Sequence, residues 1–276
     1  MPGRAPHHGN FDRLGLWLEP PTDGSAPATN VVDLAAAAVA AAEAAGIGSV
    51  WVSAPGGPVG PATPYEVYAL LGALAVRSDR VHLGAVVDGV ERRAPSILAK
   101  IVTGVDVISH GRAVLALGGD ASSDDGAQRL SEALAVCRSV LEDEHPTFRG
   151  RFYAIEDAVN RPAPVQSGGV PLVVHLRTDG PGQAALLDVA ARLADAVTVD
   201  GGTDGVVEAC RVVAGHGGDH RPDGSCAVLG RIPSSSAAGG PAAAVARIRS
   251  AGATGCLVGM PFPWDPDAVA DVASLW

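Results

Sequence analysis

His175 stands at the end of an apolar run, Pro171–Leu176, and Arg177 follows it directly. An imidazole at the end of a buried strand can take or give a proton near neutral pH. A few residues on, Gly180-Pro181-Gly182-Gln183 opens a helical segment. The free N–H groups of a helix start, with the positive end of its dipole, suit a phosphate, and Arg177 could add a bidentate contact to the same anion. Asp88-Gly89 and Asp120 follow two other apolar runs. Two carboxylates sharing a site divide into acid and base when their surroundings push their pKa values apart. His175, Asp88 and Asp120 are therefore the candidates for proton chemistry. Arg177, Gly180, Pro181, Gly182, Gln183 and Gly89 are the candidates for holding a cofactor. Each has a plainer reading as well: a hydrogen-bonded core histidine, an ordinary helix start, and solvated carboxylates or ion pairs with Arg92 or Arg93.

The elements that must position these residues show in the run Arg80–Gly119. Val81–Val87 reads as a strand buried on both faces. Pro95 opens a helix, where its missing N–H costs nothing, and the spacing of Ile97, Leu98, Ile101, Val102 and Val105 predicts one buried apolar stripe. Gly111 ends it, and Ala113–Leu117 is a second strand. Strand, helix and strand in about forty residues is a βαβ unit, the building block of parallel sheets. The pattern recurs along the chain. Strands are expected to end near Leu18, Ser53, Val87, Gly118, Leu176, Val199, Gly230 and Gly259, with helices between them. The segment Phe148–Gln166 reads as irregular, and Ser234-Ser235-Ser236 as a flexible link. Eight such alternations in 276 residues predict a single α/β domain, a (β/α)8 TIM barrel over residues 11–276. Residues 1–10, polar and rich in Pro and Gly, read as a loose end.

Net charge is −10 and Lys100 is the only lysine, which argues against nucleic acid as a partner. No stretch approaches the roughly 20 unbroken apolar residues of a membrane span, and the first residues lack the apolar core of a signal peptide. Cys137, Cys210, Cys226 and Cys256 are scattered without a CxxC pair, as expected for free thiols in a reducing cytoplasm. His216 and His220 flank two glycines and lack a visible third ligand, so no metal site is expected.

Several short motifs carry a family likeness. They include Glu43-Ala44-Ala45-Gly46, Tyr65-Glu66, Val81-His82-Leu83-Gly84, Arg93-Ala94-Pro95 with Leu98-Ala99-Lys100, and Asp106-Val107-Ile108-Ser109-His110-Gly111-Arg112. The most specific are Gly150-Arg151-Phe152-Tyr153 and Asn160-Arg161-Pro162-Ala163-Pro164-Val165-Gln166. In this order and spacing the chain resembles the bacterial luciferase-like superfamily, especially its deazaflavin (coenzyme F420) oxidoreductases. The resemblance implies a barrel, often dimeric, with cofactor at the C-terminal mouth and its phosphate near Gly180-Pro181-Gly182. Similar deazaflavin enzymes carry Asp-His after the second strand, where this chain has Ala54-Pro55. They carry Gly-x-Gly-Trp after the fourth, where it has Gly118-Gly119-Asp120-Ala121.

The function this resemblance implies is hydride transfer between F420, or alternatively FMN, and a small organic substrate, by a homodimer. Two other readings follow from the altered strand ends. One is a cofactor-independent barrel enzyme using His175, Asp88 and Asp120 for acid/base chemistry. The other is a non-catalytic partner subunit.

Overall fold

The computed structural model describes residues 13–20, 30–53, 65–88, 93–119, 122, 125–167, 169–177, 182–200, 202–216, 226–235 and 240–276. Eight parallel strands close into a barrel: β1 (Leu14–Leu18), β2 (Ser49–Ser53), β3 (His82–Asp88), β4 (Ala113–Gly118), β7 (Leu172–Leu176), β8 (Ala196–Asp200), β9 (Ala227–Ile232) and β10 (Gly255–Met260). Neighbours follow chain order, and β1 closes the ring by pairing with both β2 and β10. The remaining strands, β5 (Phe148–Arg149) and β6 (Ala154–Ile155), form a short antiparallel hairpin in the segment read as irregular. Helices α1 (Val31–Ala44), α2 (Val67–Ala75), α3 (Pro95–Ile108), α4 (Gly126–Glu142), α5 (Gln183–Leu193), α6 (Gly202–Gly215), α7 (Gly240–Ser250) and α8 (Val269–Ala273) alternate with the barrel strands. The eight observed strand ends fall within two residues of those expected, and β9 is a full six-residue strand.

Two cores result. The larger lies between strands and helices. The smaller fills the bore and is made of Trp17, Trp51, Val86, Val114, Ala116, Val173, Ala196, Leu229 and Leu257. Successive strand residues point to opposite faces, so the bore also receives His175, two residues beyond Val173, and Thr198 and Asp200, two and four beyond Ala196. Trp17, Trp51 and Gly84 are register partners on adjacent strands. The two indoles stack with planes 5° apart and centroids 6.4 Å apart.

The motifs that carried the family likeness hold loops to this scaffold. Glu43, at the end of α1, accepts hydrogen bonds from the backbone N–H groups of Asp79, Arg80 and Val81 ahead of β3. Asp106 accepts from the N–H groups of Val165 and Gln166 and from Gln166 Nε2. The Arg112 guanidinium donates to Ser109 O, Ser78 Oγ, Ser78 O, Val81 O and Ala75 O. Glu132 on α4 accepts from the N–H groups of Arg151, Phe152 and Tyr153, pinning the β5–β6 hairpin. Buried polar groups need such partners, so these residues report the fold rather than the chemistry.

Candidate active site at the barrel mouth

Strand register assembles a polar cluster where the parallel strands end. Between β7 and β8, His175 is paired with Thr198, and between β8 and β9, Asp200 is paired with Arg231. His175 Nδ1 shares a 2.8 Å hydrogen bond with Thr198 Oγ1. Its Nε2 lies 3.7 Å from Asp200 Oδ2, and its ring centroid is 5.4 Å from that of Trp17. At 5% exposure the imidazole is almost wholly withdrawn from water.

Arg231 is inward-facing and mostly buried, with 16% of its side chain exposed. Its Nη1 donates to Asp200 Oδ2 at 2.8 Å, and its Nη2 to Glu19 Oε1 at 3.4 Å. The guanidinium carbon sits 4.4 Å from the centroid of Trp17, so the cation also rests on an aromatic face. Glu19 follows β1 directly and is fixed from three sides. Ser234 donates to its carboxylate through both N and Oγ, and Trp264 Nε1 donates to its backbone carbonyl at 2.8 Å. Gly259 on β10 leaves the room: a Cβ there would fall 2.7 Å from Ser234 N and collide with the Glu19 carboxylate. Ser234, at the start of the segment read as a flexible link, is thus anchored.

His175 stands in the mouth, at the end of the fifth barrel strand. Arg177 follows β7 and is exposed, and Gly182 caps α5, whose first residue is Gln183. Asp88 ends β3 as the register partner of Gly118; its side chain, together with Gly89, Asp120, Gly180 and Pro181, lies outside the described residues. The replaced position Ala54-Pro55 is outside them as well. His216, read as one half of a histidine pair, binds Asp188 at 2.9 Å, and its counterpart His220 is also outside the described residues. Among the described residues, no group of three or more potential ligands gathers for a metal ion.

The carboxylates that meet His175 and Arg231 are Asp200 and Glu19, which the sequence reading did not single out. Nor did it single out Arg231 or Thr198. Their signal was position alone: Asp200 and Arg231 are charged residues at the ends of otherwise apolar strands, and Glu19 is the first residue beyond one. Asp200 Oδ1 and Arg231 Nε are buried and lack hydrogen-bond partners among the described residues. A buried acceptor and a buried donor beside a flat indole wall match the needs of a polar heteroaromatic ring, whose edge carries both C=O and N–H groups. In that respect the residues present fit a deazaflavin or flavin.

The comparison with protein families decides the assignment, because the model described as luciferase-like monooxygenase matches residues 13–214. The chain belongs to the luciferase-like monooxygenase family. Relatives of this luciferase-like barrel include the F420-dependent glucose-6-phosphate dehydrogenase of Microbacterium testaceum, 29% identical over 162 residues, covering 54% of this chain and 45% of the relative. The 5,10-methylenetetrahydromethanopterin reductase of Archaeoglobus fulgidus is 26% identical over 144 residues, 49% of this chain and 41% of the relative. The matched segments thus span less than half the length of these curated relatives. Among solved structures, an F420-dependent secondary alcohol dehydrogenase in complex with an F420-acetone adduct superposes with a TM-score of 0.71 at 16% identity, covering 96% of this chain and 98% of the other. The coenzyme F420 dependent tetrahydromethanopterin reductase from Methanopyrus kandleri gives the same TM-score, identity and coverage. At such identities these structures show the shared fold. No helix among the described residues is long and apolar enough to cross a membrane.

Proposed function

We propose that this chain is an oxidoreductase that moves a hydride between a deazaflavin, coenzyme F420, and a small organic substrate, with FMN as the alternative coenzyme. The observation that carries the reading is the convergence of His175, Thr198, Asp200 and Arg231 at the C-terminal mouth of a luciferase-like barrel. Barrel enzymes place their chemistry at that mouth. The bound coenzyme supplies the two-electron carrier, and the protein orients, shields and handles protons. Trp17 and Trp51 close the bore beneath the site and keep water from reaching it from below. Arg231 and Asp200 offer the donor and the acceptor for the polar edge of the ring. Arg177 and the start of α5 provide for the phosphate. His175 holds or releases the substrate proton, taking over from the histidine that similar enzymes carry where this chain has Ala54-Pro55.

A homodimer is part of the same proposal. Ile97, which its spacing placed on the buried stripe of α3, is instead exposed, as are Ile108 on α3 and Val76 at the end of α2, and a second copy would cover these large apolar side chains.

The test is equilibrium titration of the purified chain with F420 and with FMN, followed by fluorescence. Saturable binding of one of them is expected. Should neither bind at hundreds of micromolar, the oxidoreductase reading falls. Turnover without coenzyme would then support acid/base chemistry by the Asp200–His175 pair, which lie close enough to exchange a proton through a substrate.

A further inference from the structure

We infer that Arg231 is a positioning residue that sets the protonation of His175 by holding the Asp200 carboxylate between them. The inference deepens the proposed role of His175, and it is tested without coenzyme.

A single oxygen lies between an imidazole and a guanidinium. Asp200 Oδ2 lies 3.7 Å from His175 Nε2 and accepts from Arg231 Nη1 at 2.8 Å. Burial of the imidazole disfavours its charged form, and a carboxylate at this range favours it. The closer Arg231 binds that oxygen, the less negative potential reaches the histidine. Arg231 cannot swing away freely. Its backbone is in register with Asp200, its guanidinium lies against Trp17, and its other nitrogen is held by Glu19. Glu19 therefore acts in the opposite sense to Arg231: it shares the cation and loosens its grip on Asp200.

Among the described residues, the groups placed around His175 come from β8, β1 and β4. β8 contributes Thr198 and Asp200, and β1 contributes the neutral Trp17 ring. On β4 its register partner is Gly118, which has no side chain. Beyond Gly118, Asp88 ends β3, with a side chain outside the described residues. Among the described residues, the charged groups joined to His175 are Asp200 directly, and Arg231 and Glu19 through it.

The experiment is an NMR titration of the His175 imidazole in the full-length protein without coenzyme, with His175→Gln identifying the signal. Asp200→Asn is expected to lower the His175 midpoint by about 1–3 pH units, the scale of an adjacent opposite charge, and Arg231→Met to raise it by no more than that. Glu19→Gln should lower it, because the released Arg231 then binds Asp200 alone. In the double variant Arg231→Met with Asp200→Asn, the midpoint should match that of Asp200→Asn. Circular dichroism checks that Arg231→Met folds; if it does not, Glu19→Gln carries the test. A midpoint unmoved by Arg231→Met and Glu19→Gln overturns the inference. So does an Arg231→Met shift of equal size with and without Asp200. Failure of F420 and FMN to bind would strike the oxidoreductase reading and leave this titration intact.

Discussion

Trp51 lies flat over Gly84, its register partner on β3, and only the missing side chain of Gly84 admits the indole. A Cβ on Gly84 would fall 2.6 Å from Trp51 Cδ2 and 2.8 Å from Cζ3. Trp51 in turn donates to Ser49 Oγ at 2.9 Å and stacks on Trp17, which touches His175. Gly84→Ala is therefore expected to destabilise the fold by about 1–3 kcal/mol, the usual cost of overpacking a core. Urea denaturation measures the loss. Because the displaced Trp51 pushes on Trp17, the mouth should also feel the change, as a shift in the His175 imidazole resonance.

Acid should weaken the pinned hairpin. Burial alone would raise the pKa of Glu132, but three backbone N–H groups, from Phe152, Arg151 and Tyr153, outweigh it and hold the carboxyl below its ordinary 4.5. The folded value lies below the unfolded one. The stabilisation is thus complete above the unfolded value and is lost as pH falls through the folded one. Glu132→Ala leaves the three donors unpaired and should cost about 2–3 kcal/mol at neutral pH. The difference in denaturation midpoint between wild type and variant should shrink as the pH is lowered from 7 to below the ordinary carboxylate range.

Two substitutions separate binding from chemistry. Arg177→Ala should weaken binding of a phosphorylated coenzyme by about 1.5–3 kcal/mol, the scale of a charged hydrogen bond. His175→Ala should leave coenzyme affinity unchanged and slow turnover by about 10²–10⁴-fold. Titration and steady-state kinetics on the same preparations read the two effects. Equal loss of affinity in both variants would remove the proposed division of labour.

Three of the four thiols, Cys137, Cys210 and Cys256, should be nearly inert in the folded state. Burial pushes Cys137 and Cys256 up to about 12, and Cys210, half-buried, is raised by the same cause. At pH 8 these groups remain neutral thiols, which are poor nucleophiles. A colorimetric thiol reagent should label Cys210 slowly, and Cys137 and Cys256 only after denaturant is added.

Light scattering should give the mass of two chains. Charged replacements of Ile97 and Ile108 should shift it to one, with the circular dichroism spectrum unchanged.

The chain's own order of residues determined the alternation of strand and helix, the barrel, and the place of His175 at a strand end. Those are local matters: apolar runs of strand length, helical stripes, and glycine or proline at the joints. The motifs of the family likeness were legible for a related reason: Glu43, Asp106 and Arg112 stand within short stretches and hold loops in place, and Arg151, Phe152 and Tyr153 form the turn that Glu132 pins. The mouth was not legible in this way. Strands such as Leu14–Leu18 and Leu172–Leu176 are buried on both faces, so no alternation marks which residue faces the bore. The ion pair of Glu19 with Arg231 joins positions 212 residues apart, and it exists because closure brings the end of β1 beside β10 and β9. Register then decided the partners. It set Thr198 against His175 and Asp200 against Arg231, a choice made by hydrogen bonding between strands and not by any stretch of sequence alone.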